Sequence, residues 1–429
     1  MARTDHLDLV HTGPSTLAGR FMRTFWQPVY RSTDLQPGDA VPIRILSEDF
    51  TLYRGELSPS PLAGEEPALS LSKGRDGGDA PSPQSSPAEG GGGTPHVLPF
   101  RCAHRGTQLS TGWVEGDTLR CFYHGWRYDG SGQCVEQPGE EASFTQKVRL
   151  QSYPAREYLG LVFVYFGEGE PPPLPQYPEF DAPGVLDVYP PEYWPCNFFN
   201  RIDNACDAAH LTFAHRESRA AIGTPRQLPE LRAEETDYGV VTSMAVPGKG
   251  GSTLHFHMPN INQFFQGDTK LRDPTSPSTP ATMARLLFRV PVTDDSCVSF
   301  PIDHVSLTGE AGTAYLARRR QMEEAQRAAP LTPEDMGESV LRSRMRVPDV
   351  RVHDPANLKT LTSVEDYVAQ VGQGSIVNHA ADRLGRMDAG VILVRQIWQR
   401  ELRHLASGEP LKHWSRTTPL DPAFVESRT

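Results

Sequence analysis

The sequence predicts an α+β protein built from a small all-β domain and a larger domain in which an antiparallel sheet is flanked by helices. In the first part of the chain, apolar residues alternate or form short β-branched and aromatic runs, of which residues 148–166 form the strongest. Residues 169–195 are rich in proline, which is typical of a semi-rigid connection. Strand-like and helix-like patterns are mixed beyond them, as in α+β domains. We therefore expect domains at residues 19–168 and 196–414, joined by the linker 169–195.

The individual elements follow from local patterns. Residues 18–30 predict a short helix that leads into a strand, because apolar residues at mixed spacing run up to Pro28. Residues 41–46 and 50–53 alternate in the manner of half-buried strands. In the larger domain we expect strands at 239–246, 253–265 and 284–292, and helices at 314–328, 363–371 and 390–405.

Residues 57–94 interrupt the small domain with a segment dense in proline, glycine and serine. Such a composition buries too little apolar surface to offset chain entropy, so we expect disorder. The flanks, 52–56 and 94–100, would join as a hairpin with a short turn if the segment were absent. A passive surface insertion is the simpler interpretation, and a regulatory or partner-binding role is the alternative.

Charge and composition exclude some classes of protein. The net charge of -11 leaves no excess of Lys and Arg to neutralise phosphates, so nucleic acid is not an expected partner. The N-terminus lacks a signal-peptide pattern, and no apolar run reaches about eighteen residues, so we expect neither export nor a membrane span. Six cysteines without a disulfide-like framework fit a reducing, cytoplasmic environment.

The strongest chemical signal is a pair of Cys–His motifs. Cys102 and His104 form the first, and Cys121 and His124 form the second after sixteen intervening residues. Two thiolates and two imidazoles suit an iron pair in which sulfur holds one metal and nitrogen the other. Each motif runs into a glycine, which lets the backbone approach a cluster closely. A structural zinc site, which uses the same residue types, is the alternative.

A second group of candidate ligands lies in the larger domain, at Asp207, His210 and His215. Two imidazoles and a carboxylate form the facial triad that binds Fe(II) and leaves positions open. Asp207 and His210 are three residues apart, so we expect them on one helix face. Five residues turn an ideal helix by about 140°, so His215 should lie at or past a helix end or at a π-bulge. A lone histidine would more simply be a buried or surface imidazole, whereas two behind a carboxylate favour a metal site.

These motifs resemble those of the Rieske non-haem iron oxygenase α subunits. CAHRG and CFYHGWRYDGSGQC are similar to the cluster loops of that family, and D-x-x-H-x4-H is similar to its mononuclear iron motif. The resemblance implies a low-potential Rieske [2Fe-2S] cluster on the two Cys–His pairs, because the extra cysteines of the high-potential type are absent here. It also implies a mononuclear Fe(II) bound by His210 and His215.

The third iron ligand is implied by a more distant segment. Residues 363–374 resemble the part of the phthalate-dioxygenase-like and O-demethylase-like branch that supplies an acidic ligand. Asp366 is the residue this implies, and Glu365 is the alternative. Ser363 and Asp366 would also fit a capping pair that opens a helix, which is the structural alternative.

The resemblance implies an enzyme, a mono- or dioxygenase that acts as the terminal oxygenase component of a Rieske system. Such a component uses O2 and delivered electrons to hydroxylate or oxidatively demethylate an aromatic or polycyclic substrate. No flavin or nicotinamide fingerprint is visible, so electrons would come from a separate NAD(P)H-dependent reductase, with or without a ferredoxin. An electron-transfer or binding protein without oxygenase activity is the alternative function.

The resemblance also implies a homotrimer in which electrons cross between subunits. The carboxylate that connects the two centres in the family matches Asp207, which would link His210 to His124 of the adjacent subunit. An ordinary helix aspartate is the alternative for this residue.

Overall fold

The computed structural model describes residues 7–56, 93–221, 228–246, 251–266, 281–350 and 358–420. The chain divides into two compact units. The β unit comprises residues 29–43 and 49–164, and the mixed unit comprises the remainder of the described chain. No helix in the described part is long and apolar enough to cross a membrane.

The β unit consists of short antiparallel strands. One sheet has the order β1-β10-β9, a second β2-β3-β4 and a third β5-β6-β7-β8. The strands and one short helix, α2, have the following bounds: β1 Trp26–Arg31, β2 Ala40–Ile45, β3 Glu48–Arg54, β4 Pro95–Pro99, β5 Trp113–Glu115, β6 Thr118–Arg120, β7 Arg127–Asp129, β8 Cys134–Glu136, α2 Ala142–Thr145, β9 Ala155–Tyr158 and β10 Leu161–Tyr165. The strand pattern is the all-β domain that the sequence predicts.

The low-complexity segment leaves the β3–β4 hairpin intact. Arg54 pairs with Pro95, and the N–H of Gly55 donates to the carbonyl of Thr94 at 3.2 Å. The hairpin between the flanks is therefore confirmed, because strand pairing continues to the last residues on either side. The prediction of disorder concerns residues 57–94, of which 57–92 lie outside the described part of the chain.

The mixed unit contains one large antiparallel sheet with helices against it. The sheet has the order β11-β18-β17-β16-β15-β14-β13, and β12 also pairs with β18. Its strands are β11 Val185–Val188, β12 Glu192–Trp194, β13 Glu230–Glu235, β14 Gly239–Ala245, β15 Gly251–His257, β16 Ile261–Gln266, β17 Met283–Thr293 and β18 Ser296–Val305. The helices are α1 Leu17–Arg23, α3 Phe198–Cys206, α4 His210–Phe213, α5 Arg216–Ala221, α6 Gly309–Arg327, α7 Pro333–Leu341, α8 Leu358–Val371 and α9 Ala389–Ser407. The predicted α+β class is confirmed.

A cluster of aromatic side chains packs α1, α3 and α9 of the mixed unit against one another. Trp398 of α9 is fully buried, and its ring lies 4.9 Å from Phe21 and 5.3 Å from Phe199 between centroids. Apolar residues recur along α9 at three- and four-residue spacing, which gives the helix one buried face. Gly408, at φ +75°, ends α9 in the left-handed conformation that favours glycine.

Several predicted elements have different bounds in the structure. The single strand expected at 253–265 is two strands, β15 and β16, separated by a turn that contains Pro259. The helix expected at 363–371 already begins at Leu358, so Ser363 lies inside α8 and the capping interpretation of Ser363 and Asp366 is wrong. The stretch predicted as a linker contains β11 and β12, which join the large sheet, while its prolines lie between and beside those strands.

Candidate metal centres

Two loops of the β unit present the Cys–His pairs with the same backbone pattern. In the first loop, the N–H of Cys102 donates to Thr107 at 2.9 Å and the N–H of Gly106 donates to the carbonyl of Cys102 at 3.0 Å. In the second loop, the N–H of Cys121 donates to the carbonyl of Trp126 at 2.8 Å, and the N–H of Gly125 donates to the carbonyl of Cys121 at 3.0 Å. Gly106 and Gly125 have φ +75° and +73°, a conformation that side chains with a Cβ disfavour. The glycines are therefore required by the tight turns.

The four side chains separate into a buried and an exposed pair. Cys102 and Cys121 are buried, whereas His104 and His124 are exposed. The two imidazole rings lie 4.4 Å apart between centroids, and His104 stacks on Trp126 at 4.4 Å with an interplanar angle of 8°. Sulfur at the buried end and nitrogen at the exposed end is the division of ligands that a Rieske cluster uses.

Tyr128 makes a contact that the sequence analysis did not predict. Its hydroxyl lies 3.2 Å from Sγ of Cys102, inside the same buried cluster of side chains. Burial raises the pKa of Tyr128, and the neighbouring Cys102 thiol raises it further. Tyr128 therefore remains a neutral donor beside the sulfur. Burial also raises the pKa of the Cys121 thiol, so a thiolate here depends on a bound metal for its stabilisation.

The candidate residues of the second metal centre follow the end of α3. Asp207 has extended backbone and terminates α3, and its Oδ1 accepts the N–H of Ala209 at 2.7 Å. The prediction that Asp207 and His210 share a helix face is wrong, because the chain leaves the helix at Asp207 and re-enters one at His210. His215 lies past the end of α4, as predicted, and its N–H points to the carbonyl of His210 at 3.4 Å across five residues.

The structure brings His210, His215 and Asp366 together. One ligand atom from each of these residues lies within 4.8 Å of the others. Oδ1 of Asp366, on α8, is 3.5 Å from Nε2 of His215. The two helical regions are about 150 residues apart in sequence, and they meet because α3 and α5 pack on α8.

Glu365 faces a different direction from its neighbour and supports His215. Its Oε2 lies 3.1 Å from Nδ1 of His215, while Oε1 accepts the N–H groups of Glu217 and Ser218 at 2.9 and 3.1 Å. Since successive helix residues point about 100° apart, Glu365 and Asp366 cannot face the same point. The geometry thus favours Asp366 over Glu365 as third ligand, and Glu365 holds the His215 ring with Nε2 toward the site.

The electrostatics of the two histidines differ. Burial lowers the pKa of His210, and the charges of Asp366 and Asp207 offset this only in part. Burial also acts to lower the pKa of His215, but the hydrogen bond to Glu365 and the charges of Asp366 and Glu365 raise it overall. A neutral imidazole and one paired with a carboxylate are both suited to metal binding.

Asp207 lies beside His210 and remains accessible. Its Oδ2 is 4.0 Å from Nδ1 of His210, and 27% of its side chain is exposed. Its backbone carbonyl also contacts Nδ1 of His210. Asp207 therefore lies beside the candidate ligand His210 without belonging to the group of three candidate ligands.

The donor sets fit two different iron centres. Two imidazoles and one carboxylate are the 2-His-1-carboxylate set that suits Fe(II). The Cys and His pairs of the β unit provide the sulfur and nitrogen donors of a Rieske [2Fe-2S] cluster.

Comparisons with known proteins agree with this division. A family model for the Rieske [2Fe-2S] domain matches residues 25–154. The 5,5'-dehydrodivanillate O-demethylase oxygenase subunit of a Sphingobium strain is 24% identical to the chain, over 97% of the chain and 84% of that protein. The 3-chlorobenzoate-3,4-dioxygenase oxygenase subunit of Comamonas testosteroni is 29% identical, over 59% of the chain and 55% of that protein.

Solved structures show the same fold. Pseudomonas putida CBB5 NdmA with caffeine has a TM-score of 0.59 at 17% identity, covering 91% of this chain and 93% of that chain. An oxygenase and ferredoxin complex of carbazole 1,9a-dioxygenase has a TM-score of 0.57 at 17% identity, covering 90% and 92%.

The chain therefore contains a Rieske [2Fe-2S] domain, and its fold is that of a solved oxygenase, the one in the carbazole 1,9a-dioxygenase complex. Over nearly its whole length the chain is similar to an oxygenase subunit, that of the 5,5'-dehydrodivanillate O-demethylase.

Proposed function

We propose that this oxygenase component hydroxylates or oxidatively demethylates an aromatic or polycyclic compound with O2. The observation that carries the proposal is the meeting of His210, His215 and Asp366 in a chain that also has a Rieske domain. The relatives named as an O-demethylase and a ring dioxygenase support this range of reactions. An electron carrier without oxygenase activity would have no use for the three converging ligands.

We assign the ligands residue by residue. Cys102, His104, Cys121 and His124 would hold the [2Fe-2S] cluster, and His210, His215 and Asp366 would hold Fe(II). The cluster supplies single electrons, and the mononuclear iron supplies a site where O2 and substrate react. Glu365 keeps the Nδ1 proton of His215 engaged, so Nε2 is available as a donor.

We also propose how electrons reach the mononuclear site. A separate NAD(P)H-dependent reductase, with or without a ferredoxin, would reduce the cluster. Asp207 would connect His210 to His124 of the adjacent subunit in a homotrimer. The exposure of His124 and of the Asp207 carboxylate supports this route, because both groups are available for a contact with another subunit.

Metal analysis tests the proposal directly. The reconstituted protein should contain about three irons per chain and the electron resonance spectrum of a reduced Rieske cluster. Asp366→Ala should lose one iron and keep the cluster. Oxygen uptake that depends on an aromatic substrate and a surrogate reductase should be present in the wild type and absent in the variant. Two irons per chain in the wild type would favour the electron carrier, and colourless protein with zinc would exclude both functions.

A further inference from the structure

Two consecutive hydrogen bonds connect the buried Arg201 to the Asp366 carboxylate. Nη1 of Arg201 donates to Oε1 of Gln370 at 2.7 Å. Nε2 of Gln370 donates to Oδ1 of Asp366 at 3.0 Å. Arg201 is 4% exposed and Gln370 is completely buried. Water therefore has little access to the contact between Arg201 and Gln370.

The donor and acceptor chemistry fixes the orientation of the Gln370 amide. Arg201 has only N–H donors, so it must face the amide oxygen. The NH2 group then faces the Asp366 carboxylate, whose oxygen accepts the hydrogen bond. Without the guanidinium the amide could rotate and place its oxygen against the carboxylate, where two acceptors repel. Arg201 thus determines that Gln370 donates to Asp366.

Asn204 provides a second donor to the same carboxylate oxygen. Its Nδ2 lies 3.1 Å from Oδ1 of Asp366. The amides approach from different elements, since Asn204 belongs to α3 and Gln370 to α8. Within the described residues Oδ2 of Asp366 accepts no hydrogen bond from a side chain or backbone. One oxygen is therefore held by two amides, which restricts the rotation of the carboxylate.

Burial of the Arg201 charge is energetically unfavourable, and packing alone does not explain it. Its guanidinium lies 3.6 Å from the ring centroid of Trp194, and its Nε has no hydrogen-bond partner. Among the carboxylates of the described chain, none lies within 4.0 Å of its nitrogens. A buried charge without an ionic partner destabilises a fold, so a role that compensates for this cost is expected.

We propose that Gln370 and Arg201 are positioning residues that hold the Asp366 carboxylate in its metal-binding orientation. This inference rests on the proposed mononuclear centre and deepens it. Gln370 acts on Asp366 directly, and Arg201 acts through Gln370. Contacts of this kind typically change metal affinity by about 10- to 100-fold when they are removed.

The test compares variants of two nearby glutamines, Gln370 within α8 and Gln373 two residues past its end. Gln370→Leu removes both hydrogen bonds, and Gln370→Glu keeps the acceptor for Arg201 but cannot donate to Asp366. Gln373 is exposed, and among the described residues its side chain hydrogen-bonds only to the carbonyl of Ala369, so Gln373→Leu and Gln373→Glu are matched controls. Full-length, cluster-loaded protein is titrated with Fe(II), and the bound iron is examined as its nitric oxide adduct by electron resonance.

Both Gln370 variants should bind Fe(II) about 10- to 100-fold more weakly than the wild type, with a changed rhombicity of the adduct spectrum. Both Gln373 variants should match the wild type. Gln370→Glu covers the case in which the leucine variant does not fold, because it has the size and shape of the native side chain. A purely structural role of Gln370 would lower the melting temperature of the iron-free protein and leave the spectrum unchanged.

Arg201→Met tests the contribution of Arg201 separately from that of Gln370. Because the amide can then rotate, this variant should weaken Fe(II) binding by less than Gln370→Leu does. Gln370 variants that bind Fe(II) within twofold of the wild type and give the same spectrum would overturn the positioning role of Gln370. They would leave the proposed mononuclear centre unaffected. A wild-type protein that binds no mononuclear Fe(II) would overturn the proposed centre, and the inference with it.

Discussion

Glu365 illustrates how one carboxylate sets the chemistry of a neighbouring imidazole. In Glu365→Gln, one acceptor oxygen is replaced by an NH2 group, while three N–H donors still surround the side chain. If the NH2 faces His215, the proton of the ring must move to Nε2, which then cannot bind metal. We expect iron affinity to fall about 10- to 100-fold with the cluster unchanged.

Iron content after dialysis against a weak chelator, together with the visible spectrum of the cluster, measures this effect. Glu217→Gln is the matched control, because in the described part of the chain its side chain pairs only with the exposed Arg216. Equal iron retention in Glu365→Gln and Glu217→Gln would contradict the role of Glu365.

Tyr128 should tune the potential of the cluster. A donor to the Cys102 sulfur stabilises the reduced cluster, which carries more negative charge, more than the oxidised one. Tyr128→Phe should therefore lower the reduction potential, by about 40 mV for each 1 kcal/mol of lost preference in a one-electron couple. A redox titration followed by electron resonance measures the change. Tyr53→Phe, which removes a buried hydroxyl bonded to the Asp117 carbonyl, should leave the potential unaltered.

Sequence reasoning at this scale found the residues that form short motifs. It did not find Tyr128 or Gln370. Tyr128 contacts Cys102, which lies 26 positions away in the sequence, and Gln370 contacts Arg201, which lies 169 positions away. The four-residue spacing of Asp366 and Gln370 on one helix was a usable signal, since such residues lie side by side. The choice between Glu365 and Asp366 required the direction of α8, which local sequence does not specify.

At the scale of elements, strands and helices were predictable but their ends were not. The largely apolar run of β17 and the apolar face of α9 gave the right type of element. The break between α3 and α4 was not predicted, because the residues around Asp207 are compatible with a continuous helix. The break occurs because the Asp207 side chain accepts the N–H of Ala209, a local bond that competes with helix formation.

The β3–β4 hairpin leads to a prediction about the low-complexity segment. Deletion of residues 58–92 would leave Glu56, Leu57 and Gly93 as a short loop, within the usual length of hairpin connections. Glu56 is already fixed to Gly116 on the neighbouring turn, at 2.7 Å through its N–H and 2.9 Å through its carboxylate. Cluster content and turnover should therefore remain at wild-type levels. Loss of either, in a variant of unchanged melting temperature, would indicate a regulatory or partner-binding role for the segment.

At the scale of the whole molecule, two centres in one chain raise the question of which pair exchanges electrons. A mixed oligomer can answer it. Cys102→Ala should remove the cluster and keep Fe(II), while Asp366→Ala should remove Fe(II) and keep the cluster. Each homo-oligomer should be inactive. Co-expressed with two different affinity tags and purified through both, the mixed oligomer should recover turnover if, as proposed, the cluster of one subunit reduces the iron of another.

The same mixed oligomer shows in which subunit Asp207 is required. This residue lies beside His210, the proposed iron ligand, so it should be needed only in the subunit that retains iron. Adding Asp207→Ala to the Cys102→Ala subunit should abolish the recovered turnover, whereas adding it to the Asp366→Ala subunit should leave turnover intact. If transfer occurred within a subunit, no mixture would be active. Loss of turnover with Asp207→Ala in either subunit would instead point to a role of Asp207 in assembly, which size-exclusion chromatography of the mixtures would detect.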